Sequence, residues 1–305
     1  MNLAHIHIVL NHIPSLGSVL GLLILLLAIS TKNDALKKSG FGVLVLIAMA
    51  TLPTYLTGNG ARAMIAKQPG VPLGLIEVHQ NFAMLTFIAM TIAGTFAWFG
   101  LWEIRRFSRA SSLTTMGSVL TAAVAMGLIL FTGSIGGKIS HPEIREAADN
   151  ALTEAAGWKT SIEEGLAHAW AIPTVATLHY VGMALLFGIS LLLLLRLFGV
   201  MKSIPFSAIH RLLPLGIFGF VINVITGMLF YMQSPESYVK RSVFQIKIAS
   251  ILLAAIPVLY FTVFDDPWKT GSNRNAPALV KFAGVCAFTL LVVAMIYGRL
   301  IFISN

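Results

Sequence analysis

The chain has 305 residues, of which 57% are hydrophobic and 11% charged, with a formal net charge of +9 and a mean hydropathy of +0.84. That composition excludes a soluble globular protein and points to a polytopic membrane protein. The basic excess would suggest nucleic acid in a soluble chain, but here it follows loop placement and implies no nucleic-acid partner.

The first apolar run, Leu3 to Ser30, contains no charged residue, and the first charge is Lys32. With neither a basic n-region nor a small-residue cleavage site, the run is expected to be a retained helix rather than a signal peptide. Further runs follow at Phe41 to Thr57, Leu73 to Phe99, Leu113 to Phe131, Ile172 to Leu195, Leu212 to Met232, Phe244 to Phe264 and Leu279 to Ile303. Most approach the roughly 20 residues a bilayer core demands. The expected fold is all-α, a polytopic membrane protein with eight transmembrane helices arranged as two four-helix bundles.

Loops carrying Lys32, Lys37 and Lys38, then Arg105, Arg106 and Arg109, then Arg196, Lys202 and Arg211, then Lys269, Arg274 and Lys281 alternate with loops that hold most of the acids. The bias of basic residues toward the cytoplasm then places both termini on the periplasmic side of a bacterial inner membrane. The longest loop, Ser134 to His168, holds Glu143, Glu146, Asp149, Glu154, Glu163 and Glu164 and divides four runs from four. The expected domains are residues 1–141, an external segment 142–168, and residues 169–305. The lone Cys286 leaves no internal disulfide, and no Cys-x-x-Cys-His motif is present, so any haem must be held non-covalently.

Five of the eight histidines, His5, His7, His12, His79 and His141, fall where one end of the first bundle should lie. An imidazole inside a bilayer is costly unless paired or liganded. The first and third spans run in the same direction, and His12 and His79 each lie roughly 9 to 10 Å in from the outer end at about 1.5 Å per residue. In an up-down bundle these helices are diagonal, so two inward imidazoles could hold a b-type haem from both sides. Gly17, Gly21 and Gly58 are expected to clear room for the porphyrin, although glycines equally suit plain helix packing. Histidines hydrogen-bonded within the bundle, or lining a proton path, are the alternative. His7 and His141 could form a second site nearer the surface; otherwise they are an interfacial and a loop histidine. His5 is too shallow for a ligand.

The halves echo each other. Setting His12 against His179 brings Gly21 against Gly188 and, at nearly the same spacing, Thr57-Gly58 against Thr226-Gly227 and His79 against Lys247. This reads as a degenerate parallel repeat, though Gly, Thr and Leu are common enough in membrane helices to align freely. His179 is then a single candidate ligand, and Lys247 is expected to contact an anion or a quinone rather than lipid. His210, beside Arg211, is expected to mark a helix start at the opposite membrane face.

On His7-Ile-Val-Leu-Asn-His12-Ile-Pro14, Thr57-Gly58, His79 and Thr132-Gly-Ser-Ile-Gly-Gly-Lys-Ile-Ser-His141, the first half resembles a family of uncharacterised bacterial four-helix membrane proteins. Its pattern is a His-x-x-x-x-His-x-Pro start, a central helix histidine and a Gly-Gly-x-x-x-His end; Ile8 stands here where a proline is usual. The resemblance implies haem binding, with His7, His12, His79 and His141 as the ligands. The second half, through Leu178-His179-Tyr-Val-Gly182, Thr226-Gly227 and Phe244-Gln-Ile-Lys247, resembles another bacterial membrane family that is similar to copper-resistance membrane proteins.

The expected function is that of an integral b-type cytochrome with one or two haems. It would pass electrons between the quinone pool and a periplasmic redox protein or c-type cytochrome subunit, as part of a larger respiratory complex. The alternatives are a permease for copper or a small solute, for which Met49, Met64 and Met126 are too scattered to line a path, and a cofactor-free anchor subunit.

Overall fold

A computed structural model of the protein describes residues 3–68, 71–145, 164–264, 268 and 276–301. Among them, eight helices are long and apolar enough to cross a membrane, and the protein is an all-α polytopic membrane protein. Contacts divide it into two compact units, Met1–Ala97 with Ser111–Pro173, and Trp98–Ala110 with Thr174–Asn305.

In the first unit the opening span is broken into α1 (Leu3–Leu10) and α2 (His12–Ser30). Pro14 has no N–H to give the Leu10 carbonyl, which accepts instead from Thr54 Oγ1 at 3.4 Å. Ser15 Oγ donates to the Asn11 carbonyl at 2.7 Å, so the backbone groups loosened by the break find side-chain partners. The turn out of α2 is tight. Lys32 sits at φ 52, which lets Asn33 N donate to the Ala28 carbonyl at 2.9 Å. The Asn33 side chain then caps α3 (Asp34–Ile65), accepting from Ala35 N at 2.9 Å and Leu36 N at 3.1 Å. After α4 (Leu73–Phe107), Ser111 caps α5 (Ser112–Ser140), and a 3-10 turn, Pro142–Ile144, follows.

These helices outrun the apolar runs that mark them. α3 continues through Asn59 and Arg62, because hydropathy reports where a helix meets lipid and not where its hydrogen bonds end. Hydroxyls inside the span are satisfied locally: Thr51 Oγ1 donates to Ile47 O and Ser118 Oγ to Thr114 O, at 2.8 and 2.7 Å. A Cβ on Gly17 would strike the Ile47 side chain, and one on Gly21 would lie 2.8 Å from Leu44. Those two glycines are therefore filled by α3, and the room they were expected to give a porphyrin is occupied.

The second unit contains α6 (Ala171–Leu197), α7 (Phe206–His210), α8 (Leu213–Met232), α9 (Pro235–Val239), α10 (Ser242–Val263) and α11 (Ala278–Leu300). α6 stops at Gly199, whose φ of +82 turns the chain so that Val200 N reaches the Leu195 carbonyl at 3.0 Å. The end of α4 belongs to this unit through its indoles. Trp98 Nε1 donates to Thr262 Oγ1, and Trp102 Nε1 to the His210 carbonyl, each at 3.0 Å. Arg196 is fully buried, with Nε donating to the Ile204 carbonyl at 2.6 Å and the guanidinium 4.0 Å from the Phe206 ring centre.

Gly182 and Gly219 bring the backbones of α6 and α8 together: a Cβ on Gly182 would lie 2.6 Å from Asn223 Nδ2 and 2.9 Å from the Gly219 carbonyl oxygen. Gly182→Leu is expected to destabilise the protein by roughly 1–3 kcal/mol, as overpacking does, seen as a lowered thermal midpoint in detergent. Gly127→Ala, where an added Cβ meets nothing within 4 Å, should leave that midpoint in place.

Candidate functional site

The first unit assembles a polar centre from α1, α3, α4 and α5. His7 Nδ1 lies 3.0 Å from the Thr54 carbonyl and 3.4 Å from Thr57 Oγ1. A carbonyl only accepts, so Nδ1 carries the proton and Nε2 keeps its lone pair. His79 repeats the arrangement on α4, with Nδ1–H donated to the Thr132 carbonyl of α5 at 2.9 Å. In its neutral form each ring therefore carries its proton at Nδ1 and leaves Nε2 able to bind a metal.

Glycine seats each ring. A Cβ on Gly58 would lie 3.1 Å from His7 Cε1, and one on Gly136 would lie 3.2 Å from His79 Cε1. The two ring centres are 6.5 Å apart with perpendicular planes. A nitrogen bonded at about 2 Å puts its ring centre roughly 3 Å from the metal, so two imidazoles that held one atom between them would have centres about 6 Å apart. The observed separation suits a shared atom. Thr86 and Thr132 hydroxyls meet at 3.2 Å, and Gln80 Nε2 donates to Asn59 Oδ1 at 2.8 Å. Gln80 Oε1 is buried without a partner among the described residues. No group of three or more His, Cys, Asp or Glu that could hold a metal ion occurs among the described residues. Two imidazoles are what a planar macrocycle, which brings its own four nitrogens, requires of the protein.

The structure brings His79 together with His7, whereas the sequence pairs it with His12. His12 is exposed, its Nδ1–H donated back to Ile8 O of the preceding turn at 2.8 Å. Five residues on a helix rotate a side chain by about 140°, so His7 and His12 do not share a face. The Thr54 carbonyl takes His7. His141, paired with His7 in the sequence reading, is exposed and has its Nδ1 2.9 Å from Glu143 Oε1. Glu143's own backbone N–H, then the His141 ring, hold its carboxyl below the ordinary range. His5 is exposed.

The second unit repeats the design with one change. His179 Nδ1 lies 2.7 Å from Thr226 Oγ1, whose own proton goes to the Ile222 carbonyl at 2.6 Å; the hydroxyl therefore accepts, and His179 too keeps a bare Nε2. A Cβ on Gly227 would lie 3.8 Å from His179 Cε1. A ring bonded to the Thr of a Thr-Gly pair, with Cε1 toward the Gly, is the His7 arrangement; the structural counterpart of His179 is His7, not His12. Lys247 stands for His79, its Nζ 3.2 Å from the position of a Cβ on Gly298 as His79 Cε1 lies beside Gly136.

His210, expected only to mark a helix start, is buried. Its ring stacks on Trp102 at 6.2 Å and meets Trp268 edge-on at 4.8 Å. Thr54, Thr132 and Gly136 orient the imidazoles; their signal in the sequence is a Thr or Gly within a turn of the Thr-Gly and Gly-Gly motifs.

Thr226→Val should strand the His179 N–H and cost about 1–3 kcal/mol, lowering the thermal midpoint in detergent, whereas Thr226→Ser, which keeps the hydroxyl, should restore most of it. No protein-family model matches this chain, and no curated protein or solved structure matches it.

Proposed function

We propose that the protein is an integral b-type cytochrome of a bacterial inner membrane, carrying electrons between the quinone pool and a periplasmic redox protein or c-type cytochrome subunit. The observation that carries this reading is the His7/His79 pair, two tautomer-fixed imidazoles on different helices, 6.5 Å apart, each seated against a glycine.

The residues present fit a haem: two neutral nitrogen donors, and glycines at the places where a side chain would press on the ligand rings. A haem held there supplies reversible one-electron transfer. The protein's part is to fix the donors. The Thr54 and Thr132 carbonyls hold the ring orientations and make Nε2 the more basic nitrogen, which favours ligation and the oxidised state. The surrounding helices exclude water, and the apolar medium disfavours added charge at the centre. If both termini face outside, His7 on α1 and His79 near the start of α4 lie toward the periplasmic face, and the acidic composition of residues 142–168 suits a basic partner. That segment lies mostly outside the described residues.

The purified chain should show a bis-histidine reduced spectrum, and by pyridine haemochrome His7→Ala and His79→Ala should each remove the same haem while the protein still inserts. His12→Ala should retain it. Full haem content in either of the first two variants contradicts the reading.

A further inference from the structure

The exchange of His79 for Lys247 between two otherwise matching arrangements changes what the second unit can bind. In the first unit both groups offer nitrogen lone pairs. In the second, His179 offers a lone pair at Nε2, whereas Lys247 offers an ammonium with three N–H donors. Among the described residues no carboxylate neutralises Lys247, and Lys247 is the charge whose field reaches the His179 ring. A lysine within a membrane span is costly to retain unless a ligand or water takes its hydrogen bonds.

We propose that His179 and Lys247 bind the oxygenated ring of a quinone or quinol in the second unit. The carbonyl oxygen of such a ring accepts from the ammonium. A hydroxyl of its reduced form also donates to His179 Nε2, so the oxidised form is held by the ammonium alone and the reduced form by both groups. A metal is the poorer fit, because an amine must first lose a proton that it ordinarily holds to a pH of about 10. A simple anion would satisfy Lys247 and leave the imidazole lone pair facing it unfavourably. Gly298 leaves the ammonium room beside α11.

The interior below this polar pair is apolar. A cavity among the helices of the second unit is lined by Leu186, Phe220, Ile251, Leu291 and, further along, Leu193 and Phe261. Ile251 lies about one helical turn from Lys247, and Leu186 about two turns from His179. The hydroxyls on its wall, Ser190 and Thr262, donate to carbonyls of their own helices at 2.7 and 3.1 Å. A polar end above an apolar interior is the profile of an amphiphile, a ring with a hydrocarbon substituent.

This site names the lipid-soluble electron carrier of the cytochrome reading and rests on that reading for its role, but binding can be measured without it. The purified protein in detergent is titrated with decyl-benzoquinone by isothermal calorimetry. One saturable site is expected, weakened roughly tenfold by Lys247→Met, as the loss of a charged hydrogen bond implies. Lys247→Arg should weaken it less, and Gly298→Leu, which fills the space beside the ammonium, should weaken it with the charge kept. His7→Ala and His79→Ala should lose haem and still bind the quinone, so failure of the cytochrome reading and failure of this site give different results. Absence of saturable binding to the unaltered chain overturns the proposal. So does unchanged affinity in both Lys247→Met and Gly298→Leu, or a haem count that falls from two to one in Lys247→Met.

Discussion

An imidazole whose Nδ1–H is given to a threonine or threonine-region acceptor on a neighbouring helix is the interaction on which the polar interior of this protein depends. His7 reaches the Thr54 carbonyl, His79 the Thr132 carbonyl and His179 the Thr226 hydroxyl, at 3.0, 2.9 and 2.7 Å. Water is absent from the hydrocarbon layer, so each ring must find a protein partner for one nitrogen, and that choice settles the state of the other. The bond joins helices, fixes the tautomer and exposes a lone pair at once. Glycines Gly58, Gly136 and Gly227 lie where the rings rest, which couples helix packing to ligand geometry.

The two units share this plan and diverge at a single chemical position. Where His79 completes a pair of neutral donors, Lys247 supplies a cation. As proposed, the first arrangement would hold a metal at the centre of a macrocycle and the second an organic group with oxygens to be hydrogen-bonded. The packing devices differ as well. The first unit relies on Gly17 and Gly21 filled by Ile47 and Leu44, whereas the second brings α6 and α8 into backbone contact at Gly182 and Gly219 and buries Arg196 against Phe206.

Hydropathy made the eight spans and the all-α class legible, because burial in lipid leaves a direct compositional trace. The histidines as a group, and the recurrence of Thr57-Gly58 as Thr226-Gly227, were legible for the same reason: polar residues and their spacing stand out in apolar runs. The partner of His79 was not. Counting residues from a span end set His12 at the depth of His79, whereas the structure sets His7, about one and a half turns earlier, against it, and rotation about the helix turns His12 outward. His7 is held inward by the backbone carbonyl of Thr54 on α3, and a carbonyl acceptor has no side-chain signature. Gly17 and Gly21 misled in a similar way, since a glycine shows only that something lies close and not what. His210 carried no signal because the tryptophans that enclose it, Trp102 and Trp268, are remote in sequence.

The proposal that His7 and His79 would hold a haem is tested most directly at the iron itself, because two imidazole ligands would make an oxidised haem low-spin. Low-temperature electron paramagnetic resonance of the oxidised protein should give a low-spin haem signal that is lost in both His7→Ala and His79→Ala. A high-spin signal, or no haem signal at all, would contradict the account.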